Sequence, residues 1–203
     1  MAIGRVRADA VFFAQPGASG YLFWLLLLLA LYLSMAVWLA PKERPWLVPF
    51  PRIALTAGVA AGLVEIGGTL VEDLLPGFWF VPIAVELAIF LSWAVVAALA
   101  SLRGRSLRAG IVTAMAAAGL CMAIGVCGGE LTEFFLHPTP ASEVSQWAEF
   151  QRSHWSDAAS FQIANTMDSA TTHLVMAPFV AFILGSAGAA IGSAKRKANS
   201  AQV

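Results

Sequence analysis

Residues 53–75 read IALTAGVAAGLVEIGGTLVEDLL and are closed by Pro76-Gly77. A run of about 23 residues, at 1.5 Å per residue, crosses the ~30 Å hydrocarbon core of a bilayer. Inside it lie Glu65, Glu72 and Asp73. A carboxylate at the centre of a membrane helix costs about 2.5–3.5 kcal/mol even on insertion scales. This stretch therefore predicts a transmembrane helix, and one that keeps its acidic residues for a purpose.

The rest of the chain agrees on the class. Of 203 residues, 59% are hydrophobic and only 12% charged, where soluble domains carry about 25% charged residues. The mean hydropathy is +0.77. A formal net charge of zero gives no electrostatic footprint for nucleic acid. The expectation is an all-α integral membrane protein in the plasma (inner) membrane of a bacterium, forming one polytopic domain over residues 1–203.

Five apolar runs predict five spans: 21–40, 53–75, 80–102, 109–136 and 172–194. The first has spanning length and no small-residue cleavage site before Pro41, so it reads as a helix and not as a signal peptide. The fourth, about 42 Å long, overruns the bilayer or tilts. Basic residues set the orientation. Lys42, Arg44 and Arg52, then Arg103, Arg105 and Arg108, then Lys195, Arg196 and Lys197 fall on one side; Arg5, Arg7 and Arg152 fall on the other. The positive-inside rule then predicts an outside N-terminus and an inside C-terminus. The first 20 residues are expected along the outer interface, with Val11, Phe12 and Phe13 touching lipid or the bundle. Residues 139–171 form a long outer loop, in which Ser142 would cap a short interfacial helix carrying Trp147, Phe150, Gln151 and His154 on one face. Trp24, Trp38, Trp46, Trp79 and Trp93 read as interface belt or lipid-facing filler. Cys121 and Cys127, six apart on one helix, face different ways and cannot pair; they read as small buried residues.

Gly67-Gly68-Thr69-Leu70-Val71-Glu72 is echoed by Gly128-Gly129-Glu130-Leu131-Thr132-Glu133. A duplicated two-helix hairpin, spans two–three and four–five, accounts for the internal repeat. Gly58-x-x-x-Gly62 predicts close helix packing. Each double glycine is placed to loosen the helix just ahead of a glutamate.

Six of the twelve acidic residues, Glu65, Glu72, Asp73, Glu86, Glu130 and Glu133, lie in or at the rim of the spans. Glu65 and Glu72 are seven apart, within 20° of two full turns, and share a face. Glu130, Glu133 and His137 share a stripe. His173 opens the fifth span and Asp168 precedes it, either as a ligand or as its cap. Glu72, Glu86, Glu130, Glu133, His137, Asp168 and His173 are thus expected together in the outer leaflet, with Glu65 alone beneath them. No Lys or Arg lies inside a span to neutralise them. Glu and His together suit Zn, Fe, Mn or Cu, with haem on His137 and His173 second to these. The motifs of soluble hydrolases and nucleotide-binding enzymes are absent.

Three functions fit these residues. The first is a channel or transporter that binds or conducts a cation, metal ion or proton. The second is a membrane metalloenzyme or redox subunit holding haem, copper, iron or quinone. The third is a non-catalytic subunit of a larger complex. The lipid bilayer is the expected partner, together with further copies of the chain or other subunits.

Overall fold

The computed structural model describes residues 12–15, 17–39, 50–74, 78, 80–130 and 140–200, with side chains described except at 35–39, 72–74, 129, 130 and 196–200. Among these residues there are helices and no strand. The long helices are α1 (Ala18–Leu39), α2 (Pro51–Leu74), α3 (Phe80–Gly104) and α4 (Leu107–Gly125), which runs into a π-helical turn at Val126–Glu130. Two short helices follow, α5 (Ala141–Val144) and α6 (Ala148–Arg152), and then α7 (Ala158–Ser200).

Among the described residues four helices are long and apolar enough to cross a membrane: 51–71, 80–104, 107–128 and 158–195. The apolar part of α1 described with side chains is the shorter Ala18–Ser34. α4 is the central helix. Most of its residues are buried, whereas fewer than a third of those in α2 and α3 are. It packs on α2, α3 and α7, while α1 docks against α7.

Lipid tails are as apolar as leucine, so helices in a bilayer associate through close packing and interhelical hydrogen bonds. The core is accordingly built of alanine: Ala97, Ala114, Ala118, Ala177, Ala181 and Ala189 surround Ile89, Trp93 and Cys121. The predicted Gly58-x-x-x-Gly62 pair does bring backbones together, since a Cβ at Gly58 would stand 2.7 Å from the Ala117 carbonyl oxygen. A second pair, Gly188-x-x-x-Gly192 in α7, does the same against Ala94 and Ala98 of α3. Ser101 fastens that seam by donating to the Ala189 carbonyl at 3.0 Å, with its Oγ 2.9 Å from that of Ser193.

Several expectations need correction. The fifth apolar run marks only part of α7, which begins at Ala158 and has 43 residues, or about 64 Å. From His173 to Lys195 is about 33 Å, close to the hydrocarbon thickness, so residues 158–171 extend the helix and are not loop. Asp157 caps it, accepting a 2.7 Å bond from the Ser160 amide; Asp168 lies within α7 and is exposed. The expected single interfacial helix is two short ones, the first preceded by Pro140 and not capped by Ser142. Phe12 stacks on Trp155 at 6.1 Å, and Trp155 and Phe150 both meet Phe161 edge-on. Phe12, Phe150 and Trp155 thus pack on the first turns of α7, with Phe12 buried and Phe13 exposed, while residues 1–11 lie outside the described residues.

The fourth span holds α-helical geometry only to Gly125 and then turns π-helical. The double glycine at 128–129 sits in that π turn, whereas the one at 67–68 lies in regular α-helix. The two copies of the sequence echo therefore differ in backbone, and the internal repeat gains no support. Cys121 is buried as expected and Cys127 is exposed; both are free thiols.

Candidate functional site

Glu65 of α2, Glu86 of α3 and His173 of α7 line one cavity of about 170 Å³, which also takes in Met122 of the central helix. Two of them can be placed along their helices. Glu65 lies nine residues before the end of α2 at Leu74, and Glu86 six residues after the start of α3 at Phe80, or about 14 Å and 9 Å from those neighbouring ends. Glu65 is the deeper of the two by about 5 Å, yet it lines the same cavity as Glu86 and His173.

Each wall is a helical stripe. Glu86, Ile89, Phe90 and Trp93 follow one another at i, i+3, i+4 and i+7, as do His173, Met176, Ala177 and Val180; that spacing keeps side chains on one face. Glu65 lies across Gly125 of α4, where a Cβ would stand 3.0 Å from the Glu65 Cγ. The glycine thus gives the carboxylate its room at the last α-helical residue before the π turn. Such turns are frequent at functional sites because they re-aim the side chains that follow.

Trp93 is a correction to the lipid-facing reading. It is 1% exposed, part of the core, and its ring lies 5.3 Å from that of Phe90. Its Nε1–H has no acceptor among the described residues. The signal was available in the sequence, since position 93 is seven residues, two turns, beyond Glu86. Trp24, in contrast, is exposed as expected.

Of the other predicted ligands, only Asp168 has a described side chain. Asp168 is exposed and does not line the cavity. The backbones of Glu72, Asp73 and Glu130 are helical, but their side chains lie outside the described residues, as do Glu133 and His137 entirely. The haem pair His137–His173 falls there too. Among the described residues no three His, Cys, Asp or Glu side chains come close enough together to hold a metal ion. Glu65, Glu86 and His173 line a common space without converging on a point.

α7 carries a second irregularity at this level. Pro178 lies inside the helix, and a proline there removes the hydrogen bond to the carbonyl four residues before it. That carbonyl belongs to Leu174, next to His173. The Tyr32 hydroxyl of α1 donates to it at 2.7 Å.

The chain matches no protein-family model, no curated protein and no solved structure. The site is read from its own geometry.

Proposed function

We propose that this protein carries protons, or a cation exchanged for them, across the plasma (inner) membrane of a bacterium, as a transporter rather than an open channel. In this reading it has five spans, N-out and C-in, and works as a homo-oligomer or within a larger membrane complex. Glu65 is the deep proton site, and Glu86 and His173 exchange protons with it across the cavity.

One observation carries the reading. Two carboxylates and an imidazole from three different helices line the same intramembrane cavity, and among the described residues that line it there is no Lys or Arg. Intramembrane Asp, Glu and His side chains facing a bundle interior are the material of proton relays. Among the described residues the core next to the cavity is apolar, with Ala97, Ala118, Cys121 and Ala181 packed together, which favours a moving carrier. Pro178 in α7 and the π turn after Gly125 in α4 interrupt two of the cavity helices, and such interruptions are where membrane helices bend.

The test is proton flux into liposomes containing the full chain, followed with an internal pH dye under an imposed potential. Flux above that of empty vesicles is expected, abolished by Glu65→Gln and reduced by Glu86→Gln. Wild-type protein no faster than empty vesicles sinks the transporter reading and favours a non-catalytic subunit. A purified sample that is coloured, or that holds stoichiometric Zn, Fe, Mn or Cu, favours the metalloenzyme instead.

A further inference from the structure

We infer that a groove between α2 and α3 holds one acyl chain of an anionic phospholipid, whose phosphate lies among Arg52, Arg103, Arg105 and Arg108. The inference rests on the four apolar helices of membrane-crossing length and is independent of proton carriage.

Charge marks one end of the bundle. Among the described residues there, 50–57, 99–109 and 188–195, Arg52, Arg103, Arg105, Arg108 and Lys195 are exposed and there is no Asp or Glu. A Cβ at Gly104 would stand 2.9 Å from a Phe50 ring carbon, so the start of α2 closes onto the turn between α3 and α4. Arg105 sits in that turn with a φ of 52°, left-handed backbone that glycine adopts more readily. Arginines on both sides of the contact are thereby held at one depth. Guanidinium groups pair with phosphate oxygens two at a time, and basic sites between membrane helices take anionic headgroups.

The groove supplies the other half of an amphipathic site. About 230 Å³ in volume, it is walled by Ala57, Ala60 and Val64 of α2 and by Ala88, Ile89 and Ser92 of α3. Its one hydroxyl is satisfied, since Ser92 donates to the Ile89 carbonyl at 2.6 Å, so the wall offers an apolar chain nothing to displace. Ala60, Val64 and Ala88 are exposed, and the groove therefore opens to lipid. Its depth fits. Ala57 to Val64 lie about 8–18 Å along α2 from Arg52, and Ser92 to Ala88 about 16–22 Å along α3 from Arg103. An acyl chain hung from a phosphate ends near the midplane, about 15 Å into the hydrocarbon and about 20–22 Å below the outer headgroup edge. Ser92 and Arg103 are eleven residues apart, within about 20° of three full turns, and share a face of α3, with the exposed Leu99 between them. A second copy of the chain suits the groove less well. Inserted the same way, it would set arginines beside arginines, and like charges repel.

The experiment is native mass spectrometry of the delipidated full chain titrated with phosphatidylglycerol or phosphatidylcholine of identical palmitoyl and oleoyl chains. One phosphatidylglycerol per chain is expected, bound at least tenfold more tightly than the choline lipid. Arg103→Gln and Arg105→Gln should each weaken it about fivefold, the scale of one basic residue near an anionic lipid. Ala60→Phe fills the groove, leaves every arginine in place and should weaken it tenfold or more. Ala88→Phe repeats that test from the other wall and decides if Ala60→Phe does not fold. Unchanged affinity in a folded groove variant overturns the inference, because the arginines then gather only the loose headgroup layer of any bilayer. Equal affinity for the two lipids overturns the anionic headgroup. Displacement of the lipid by equimolar glycerophosphoglycerol, the same headgroup without chains, overturns the part played by the groove. Lipid-free dimers that Ala60→Phe disperses give the groove to a second copy and overturn it too. Lipid binding is read without any flux, so this inference and the transporter can each fail alone.

Discussion

The Tyr32 hydroxyl donates a 2.7 Å hydrogen bond to the carbonyl of Leu174, the oxygen that an amide at position 178 takes in an unbroken helix. Proline cannot supply that amide. One side chain of α1 thus replaces one backbone donor of α7, and it does so beside the cavity. Within a membrane an unsatisfied carbonyl has no water to turn to. Tyr32→Phe is expected to destabilise the protein by about 0.5–1.5 kcal/mol, measured by unfolding in detergent. Pro178→Ala restores an N–H to the helix, so in that background Tyr32→Phe should cost almost nothing. Equal costs in the two backgrounds would refute the substitution of hydroxyl for amide.

The seam between α3 and α7 rests on backbone approach. A Cβ at Gly188 would overlap the Ala94 carbonyl, whereas one at Gly20 would meet nothing within 4 Å. Neither carbonyl nor helix axis can yield as a side chain does. Gly188→Ala is therefore expected to cost upwards of about 2 kcal/mol, the scale of overpacking a tight core, and to lower the folded yield sharply. Gly20→Ala should be neutral or slightly stabilising, by up to about 1 kcal/mol. Comparable thermal stabilities of the two variants would contradict the seam as described.

These relationships show what a single sequence discloses. Hydropathy located α2 and α3 to within two residues, because Pro51, Gly77 and the turn at Gly104-Arg105 punctuate apolar runs. It stopped short on α7, since hydropathy reports the membrane and not the helix. Residues 158–171 are polar enough to read as loop, yet Asp157 caps them and Phe12 and Trp155 pack against them. Glu65, Glu86 and His173 stood out in the sequence as ionisable residues in apolar runs. That they share a cavity was not legible there, because depth along separate helices says nothing of which faces meet. Trp93 was misread for the same reason: a tryptophan has one identity in lipid and in a core, and only its neighbours separate the two.

The protruding end of α7 has its own test. The Asp157 carboxylate accepts from the Ser160 amide, one of the four donors that a helix start leaves without intrahelical partners. Asp157→Ala is expected to cost about 1 kcal/mol and to raise amide exchange over residues 158–163. Exchange around Ser101 and Ala189 should be unchanged, since that seam lies toward the other end of α7. Uniform exchange along the whole helix would mean that the aromatic clasp, and not the cap, holds the first turn.

Gly125 and Glu65 give the most direct reading of the site. A methyl group at position 125 would stand 3.0 Å from the Glu65 Cγ and 3.5 Å from its Cβ; the first is tight and the second ordinary contact. The Glu65 side chain is flexible, so Gly125→Ala should displace the carboxylate at small cost in stability, within about 1 kcal/mol either way. Under the proposed proton carriage, displacing the Glu65 carboxylate by a few tenths of an ångström should nonetheless slow flux several-fold, because transfer depends on hydrogen-bond geometry. In the Glu65→Ala background the Cγ is gone and the alanine at 125 meets only a Cβ at ordinary distance. Any stability change from Gly125→Ala should then vanish. A change of the same size in both backgrounds would show that the glycine serves helix geometry at the π turn and does not make room for the carboxylate.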